Sequence, residues 1–249
     1  MSSVVTLTPP PASAHARPSP AVGRWVWPVV VLLLAAFASL AYAAYRVPYF
    51  ALDLQTTQAV QGISFPWFHS LMVAVSWPGF PPQVYIFVVV VSIGFYASHQ
   101  KRQAVFLLAS AVGIALVSQG VKLLVDRPRP SAALVHVLIP DLNGGHWSFP
   151  AGHVESFVVI FGFIAYVAYA GWRHNLWRAA VMAVSLVMIA LIGVSRIDSG
   201  EHWLSDAVGG YLLGSAFLLV VLVWYQRGRR ADEAVVGPRR TDISRSSGE

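Results

Sequence analysis

Six apolar stretches constrain the fold of this chain more than any other feature. A helix that crosses a hydrocarbon core of roughly 30 Å needs about 20 mainly apolar residues, and the six stretches approach that length. They cover residues 25–45, 82–98, 104–125, 154–171, 179–194 and 204–225. The second and fifth are the shortest. The pattern predicts an all-α, polytopic membrane helical bundle with about six transmembrane helices.

The composition agrees with a location in a bilayer. Of the 249 residues, 56% are hydrophobic and 11% are charged, and the mean hydropathy is +0.61. These values are too apolar for a soluble domain of ordinary makeup. The absence of cysteine excludes disulfides, thiolate nucleophiles and cysteine-ligated metal sites. The net charge is +6, but no nucleic-acid-reading module accompanies it, so we expect no nucleic-acid partner.

The chain divides into three segments. Residues 1–23 are rich in Pro, Ser, Ala and Thr, and we expect them to form a disordered N-terminal tail. Residues 24–225 are the expected transmembrane domain, whose first apolar run is too long for a signal-peptide core. Residues 226–249 are expected to be a disordered basic C-terminal tail. Within the domain, residues 46–81 predict one or two amphipathic helices along the bilayer surface, with a seventh span as the weaker alternative.

The loop cations predict an orientation. Arginines and lysines precede the first span, follow the second and sixth, and separate the fourth from the fifth. In a six-span arrangement all of these positions lie on one side of the membrane, and the positive-inside rule makes that side cytoplasmic. We therefore expect both termini in the cytoplasm and the opposite end of the bundle on the extracytoplasmic face. A bacterial inner (cell) membrane would suit this arrangement.

Three polar clusters lie where the extracytoplasmic ends of the spans are expected: KLLVDRPRP at 122–130, PAGH at 150–153 and SRIDSGEHWLSD at 195–206. A lysine near the end of a membrane helix is costly unless it snorkels or finds an anion. Guanidinium groups match phosphate oxygens with paired N–H donors. Lys122, Arg129 and Arg196 together therefore favour a phosphate site.

The other two clusters carry histidines in informative positions. PAGH leads directly into an apolar span, so we expect a helix N-terminus there, whose free N–H groups favour a bound anion. His202 and Asp206 are four residues apart and would share one face of a helix. The carboxylate could fix the tautomer and orientation of the imidazole and leave the other ring nitrogen free to attack phosphorus. A purely structural hydrogen bond between them is the alternative.

The spacing of these residues resembles the signature of the type 2 phosphatidic acid phosphatase family, which is related to vanadium haloperoxidases. That signature has a lysine, six further residues and then Arg-Pro; a Pro-Ser-Gly-His; and a Ser-Arg followed by spaced His and Asp. The chain departs from it only at Ala151, where the family has serine. The resemblance implies the family's core of membrane helices and an integral membrane lipid phosphatase.

The resemblance also implies roles for individual residues. His202 would be the nucleophile that forms a phosphohistidine, Asp206 the residue that orients it, and His153 the general acid. The phosphate would be bound by Lys122, Arg129, Arg196, Ala151 and Gly152. Ala151 has no hydroxyl, so we expect its N–H to donate instead and the contact to be weaker.

Such a transfer needs no metal, because the lysine and arginines supply the positive charge. We therefore expect no metal and no other cofactor. The candidate substrates are phosphatidic acid, phosphatidylglycerophosphate and undecaprenyl diphosphate, and no oligomeric state follows from the sequence. A haloperoxidase is disfavoured because those relatives are soluble. A catalytically weak or silent lipid-phosphate-binding membrane protein is the main alternative, and Ala151 is its only support.

Four charged neighbours of the clusters have less certain roles. Arg127 would serve the substrate head group or belong to a solvated loop. Glu155 would pair with a cation of the site or be a satisfied carboxylate at the membrane boundary. For Asp198 and Glu201 the sequence favours ion pairing in a solvated loop.

Overall fold

The fold is a bundle of helices. A computed structural model describes residues 23–138, 147–172 and 174–236, with side chains described as far as Arg229. The α-helices are α1 (Val26–Arg46), α2 (Ala51–Gln61), α3 (Phe68–Ser76), α4 (Gln83–Ala97), α5 (Lys101–Val125), α6 (Gly152–Gly171), α7 (Leu176–Asp198) and α8 (Leu204–Val236). A 3₁₀ turn, Trp77–Gly79, follows α3. No strand occurs within the described ranges, so the predicted all-α class is confirmed.

Five helices are long and apolar enough to cross a membrane: α1, α5, α6, α7 and α8. The expected second span corresponds to α4, which has only 15 residues. It reaches a spanning length only together with Phe68–Gly79, from which it is bent by 62°. Pro81 and Pro82 separate the two parts, and proline interrupts helical hydrogen bonding. The bundle therefore has five or six candidate spans, in agreement with the prediction of about six.

Helix α6 lies at the centre of the bundle. It packs against α5, α7 and α8, and 56% of its most apolar window is buried, whereas only 17% of that of α1 is buried. Val159 and Phe163, one turn apart on α6, belong to separate core clusters. The outer helices instead expose large apolar side chains, such as Leu32 and Leu124, as expected for surfaces that contact lipid.

The segment before α4 contains two short helices, α2 and α3, which agrees with the expectation of one or two helices there. The N-terminus of α2 is capped by its own Asp53, whose Oδ2 accepts the Phe50 N–H at 3.0 Å. Helix α8 continues to Val236, so residues 226–236 are helical and the expected boundary at 225 is wrong. The rest of that tail, 237–249, and residues 1–22 lie outside the described residues.

Candidate active site

Two arginines, Arg127 and Arg129, follow the turn at the end of α5 and lie in different environments. Helix α5 ends at Val125, and Asp126 adopts a left-handed conformation with φ 46°, which aspartate tolerates better than most residues. Two backbone pairings then hold the following segment: Ser148 N–H donates to Arg127 O at 2.7 Å, and Pro128 forms an isolated bridge with Trp147. The side chain of Arg127 is fully buried, whereas that of Arg129 is 29% exposed.

Arg127 lies between two buried carboxylates. Its Nη2 donates to Asp53 Oδ2 at 2.9 Å and its Nη1 to Asp206 Oδ1 at 2.6 Å. Nη1 also donates to Ser205 Oγ at 2.7 Å, and Nε donates to the Pro48 carbonyl at 3.1 Å. Both sequence interpretations of Arg127, as a head-group ligand and as part of a solvated loop, are therefore wrong. The residue ties α2 to the start of α8.

Asp53 is a member of this network that the sequence analysis did not find. Its Oδ1 accepts the Ser205 N–H at 2.8 Å, and its Oδ2 accepts the Ser205 hydroxyl at 2.8 Å. Asp53 therefore caps α2 and also binds the N-terminal turn of α8. The available signal was a single acidic residue in the largely uncharged stretch after the first span, because a buried carboxylate requires a partner.

His202 is oriented by a backbone carbonyl. Its Nδ1 lies 2.8 Å from Ser148 O and 3.7 Å from Asp206 Oδ2. A carbonyl only accepts, so Nδ1 carries the proton and the lone pair is on Nε2. Burial lowers the pKa of His202 below its usual value, Asp206 opposes this shift, and the charges of Arg129 and Lys122 reinforce it. The imidazole is therefore neutral at neutral pH.

Asp206 lies behind His202 and has other hydrogen-bond partners. Its Oδ2 accepts the Trp203 N–H at 2.8 Å and the Ser148 hydroxyl, and its Oδ1 accepts from Arg127. The expectation that Asp206 fixes the His202 tautomer by a direct hydrogen bond is thus corrected. Asp206 instead binds Ser148, whose carbonyl orients His202.

A tight turn brings Glu201 and His202 back over the end of α7. Both of their N–H groups donate to Arg196 O at 3.3 Å. The turn requires Gly200, which has φ +67° and lies so close to the His136 carbonyl that a Cβ would collide with it. Glycine is the residue that adopts this conformation without strain.

His153 is in the first turn of α6. Its Nε2 is buried and has no hydrogen-bond partner among the described residues. The ring packs edge-on against Phe80 at 4.7 Å between centroids. Gly79 approaches the same ring so closely that a Cβ there would collide with it. The 3₁₀ turn before α4 therefore supports the imidazole, a contact that the sequence did not indicate.

The two residues before His153 differ in their access to a ligand. Ala151 is fully buried in an apolar cluster, and its N–H donates to Asp206 O at 3.1 Å. The expectation that this N–H binds phosphate is therefore wrong. Gly152 lines the cavity, and a Cβ on it would be in van der Waals contact with Lys122 Nζ at 3.4 Å and Ser118 Oγ at 3.6 Å.

Two arginines of the site pair with one carboxylate. Glu201 Oε2 lies 3.0 Å from Arg196 Nη1 and 3.6 Å from Arg129 Nη1. Arg196 is buried, donates to Ser76 Oγ at 2.6 Å and stacks on Phe80, with Cζ 5.0 Å from the ring centroid. Glu201 is only 7% exposed, so the solvated-loop interpretation is wrong for this residue.

The other two acidic neighbours are also buried. Asp198 Oδ1 lies 2.8 Å from His69 Nδ1, and the carboxylate is fully buried, so the solvated-loop interpretation is wrong for Asp198 as well. Glu155 accepts a hydrogen bond from Ser118 Oγ at 3.2 Å. Its second oxygen has no partner among the described residues, so Glu155 is not a fully satisfied boundary carboxylate.

A cavity of about 970 Å³ collects most of the predicted site. Its polar end is lined by Lys122, Arg129, Gly152, His153, Glu201 and His202, whereas its apolar end is lined by α4 and α5 as far as Leu108. Arg196, Ala151 and Asp206 are buried and are not among its lining residues, but Arg196 pairs with Glu201, which is a lining residue. Lys122 and Leu108 are 14 residues apart on one helix, so the groove extends about 21 Å along α5.

Comparison with known proteins identifies the family. The model of the PAP2 superfamily matches residues 103–230, which is more than half of the 249 residues. The chain belongs to the PAP2 superfamily. The match covers all three polar clusters and the helices that carry them. The chain is therefore a membrane phosphatase of the PAP2 type, and the resemblance seen in the sequence is confirmed.

Two phosphatases are similar in sequence to this PAP2 protein. It is 24% identical over 195 residues to phosphatidylglycerophosphatase B of Bacillus subtilis (strain 168), covering 77% of this chain and 92% of that protein. It is 25% identical over 131 residues to lipid phosphate phosphatase 2 of Arabidopsis thaliana. That match covers 43% of this chain and 45% of the plant protein.

Two solved structures share the fold. The first is a transmembrane PAP2 type phosphatidylglycerolphosphate phosphatase from Bacillus subtilis, with a TM-score of 0.66 and 22% identity over 83% of this chain and 96% of that one. The second is Aquifex aeolicus LpxE, with a TM-score of 0.56 and 21% identity over 71% of this chain and 98% of that one. Both matches agree with the helical bundle described above.

Proposed function

We propose that this protein hydrolyses the phosphomonoester or diphosphate of a membrane lipid through a phosphohistidine on His202, without a metal ion. One observation supports this most strongly. A single cavity has two histidines and a cluster of cations at one end and an apolar groove between two membrane helices at the other. The polar end suits a phosphoryl group, and the groove suits the tail that stays in hydrocarbon.

The proposed first step is an in-line displacement at phosphorus. Nε2 of His202 attacks and forms the P–N bond while the P–O bond to the lipid breaks, and His153 gives its proton to the leaving oxygen. Lys122, Arg129 and Arg196 stabilise charge on the equatorial oxygens. The Nδ1–H of His202 keeps its hydrogen bond to the Ser148 carbonyl, and this bond stabilises the positive charge that develops on the ring.

The second step releases phosphate. Water enters where the lipid oxygen has left and attacks the phosphorus, with His153 now accepting the proton. The P–N bond breaks, and His202 returns to its neutral form. The products are the dephosphorylated lipid and inorganic phosphate, so no redox partner or other co-reactant is required.

The groove supports a lipid substrate that enters sideways. Several residues that line it are exposed on the outer surface of the bundle, including Tyr85, Val89, Val112 and Leu116. A length of about 21 Å corresponds to roughly two thirds of a 30 Å hydrocarbon core. Phosphatidylglycerophosphate is the first substrate to test, because of the name of the Bacillus subtilis relative. Phosphatidic acid and undecaprenyl diphosphate remain candidates.

The orientation is part of the proposal. The charge pattern supports cytoplasmic termini and a site that opens at the extracytoplasmic face of a bacterial inner membrane. A cysteine placed in the 98–100 turn, at the end opposite to the site, should be labelled by a membrane-impermeant maleimide only after the cells are opened. The chain has no cysteine of its own to interfere. Labelling in intact cells would indicate the opposite orientation.

The function is tested by phosphate release from detergent-purified protein in the presence of EDTA. The substrates are phosphatidylglycerophosphate, phosphatidic acid, undecaprenyl diphosphate and a soluble phosphomonoester. His202→Gln should abolish release, whereas His69→Gln, which changes a histidine outside the cavity, should not. Release that needs an added metal, or that survives in His202→Gln, would refute the mechanism. Binding of a lipid phosphate without turnover would favour the silent-binder alternative.

A further inference from the structure

Among the described residues that line the cavity, Glu201 is the only acidic one, and it lies at the end proposed to bind phosphate. One of its oxygens, Oε2, lies within ion-pair distance of both Arg196 and Arg129. The other, Oε1, is buried and has no hydrogen-bond partner among the described residues. A buried, half-satisfied carboxylate is costly, so this placement calls for an explanation beyond packing.

The arginines show the same incomplete pairing. The Nε–H groups of Arg129 and Arg196 are buried and lack a partner in the described part of the chain. A guanidinium satisfies Nε and one Nη together when it binds a carboxylate or phosphate side-on. Glu201 reaches only an Nη of each arginine. The two forks thus keep donor positions that a tetrahedral anion could fill.

Charge balance gives Glu201 a role in the ligand-free site. Without it, two guanidiniums and the Lys122 ammonium would lie close together with no anion in the cavity and would repel one another. The same three cations would also retain free phosphate after hydrolysis. A carboxylate that pairs with two of them holds the site open for a phosphate and weakens the binding of that phosphate.

We propose that Glu201 is a built-in competitor of the phosphoryl group. Its carboxylate pairs with Arg129 and Arg196 when no phosphate is bound. These ion pairs break when the substrate phosphate binds the arginines, and they form again as inorganic phosphate leaves. Glu201 is thus a positioning residue that sets phosphate affinity and speeds product release. The inference rests on the proposed function, because it assumes that the cation cluster binds the phosphoryl group.

The test compares Glu201→Gln with wild type and with Asp198→Asn. Asp198 is the matched control, since this nearby buried carboxylate pairs with His69 and makes no ion pair with Arg129 or Arg196 among the described residues, although its charge also acts on Arg196. Binding of inorganic phosphate and of orthovanadate, a tetrahedral analogue, is measured by calorimetry and by inhibition of phosphate release. For Glu201→Gln we expect both anions to bind on the order of ten-fold more tightly, with a lower KM and a lower kcat. Asp198→Asn removes a charge that acts on Arg196 without pairing with it, so it should shift anion binding by much less.

Unchanged or weaker anion binding by Glu201→Gln would overturn the proposal, because a residue that only positions the arginines would weaken phosphate binding when altered. If Glu201→Gln does not fold, Glu201→Asp retracts the carboxylate by about 1.5 Å and should shift binding in the same direction by less. Failure of the proposed function gives a different result, namely no phosphate release by wild type. Calorimetry would still decide the role of Glu201 in that case.

Discussion

Substitution of the two arginines of the RPRP sequence should have different effects on the stability of the protein. Arg127→Gln removes the guanidinium between Asp53 and Asp206, and Arg129→Gln removes one that is 29% exposed and makes a single ion pair at 3.6 Å. We expect Arg127→Gln to lower the free energy of unfolding and Arg129→Gln to leave it nearly unchanged. Both should lose phosphate release, so stability is the property that separates them.

The magnitude follows from the partners that remain. Removing one member of a buried ion pair costs about 3–5 kcal/mol, because the other charge stays buried. In Arg127→Gln, Asp53 keeps donors from Ser205 and Asp206 keeps donors from Ser148 and Trp203. The loss should therefore be near the lower end, about 3 kcal/mol. For Arg129→Gln, a partly exposed pair predicts about 0–1 kcal/mol.

The assay is reversible unfolding in mixed detergent–SDS micelles, followed by tryptophan fluorescence. A double-mutant cycle adds a second check: Asp53→Asn should cost less in the Arg127→Gln background than in wild type, because it removes a carboxylate that has lost its cation. Equal stability of Arg127→Gln and wild type would refute the reasoning. So would a loss in Arg129→Gln as large as that in Arg127→Gln.

Three further predictions concern the histidines and their supports. Gly79→Ala should lower kcat at least about ten-fold by displacing the His153 ring. Gly94→Ala is the control and should have no effect, because a Cβ there meets nothing within 4 Å. Equal activity of the two variants would contradict this prediction. Burial lowers the pKa of His202, so the unfolded chain takes up the proton first as pH falls. The free energy of unfolding should then decrease below about pH 6.5, and less steeply in His202→Gln than in wild type. An identical dependence on pH in the two proteins would contradict the lowered pKa of His202. Ser148→Ala loses one donor to Asp206 but keeps the carbonyl that orients His202. It should cost about 1 kcal/mol in unfolding with kcat within roughly ten-fold of wild type, and a complete loss of activity would assign the hydroxyl a larger role.

The spans could be predicted because each is a long apolar segment whose ends are marked by charge, aromatic residues or proline. The exception is the second span, where α3 and α4 are bent against each other near Pro81 and Pro82. Apolar length alone reports only the straight part of such a pair. Helix α8 also continues beyond the apolar segment, because Gln226 and the arginines that follow are good helix formers.

The site residues were predicted by type and less well by contact. Arg127 and Arg129 both follow the end of α5, and which one turns inward depends on Asp53, which is 74 residues away in sequence. The spacing of His202 and Asp206 suggests stacking on a helix, but α8 begins only at Leu204. His202 therefore lies in the preceding turn, and Ser148, 54 residues away, supplies its acceptor. Contacts of this range are set by tertiary packing and leave no local pattern.

The most direct test of the account is to trap the covalent intermediate. Purified protein is mixed with radiolabelled phosphatidylglycerophosphate in the presence of EDTA, quenched under alkaline conditions that preserve phosphohistidine, and analysed by mass spectrometry of its peptides. We expect one phosphoryl group on His202, absent from His202→Gln and present in His69→Gln. Phosphate on any other residue, or turnover by His202→Gln, would contradict the central claim.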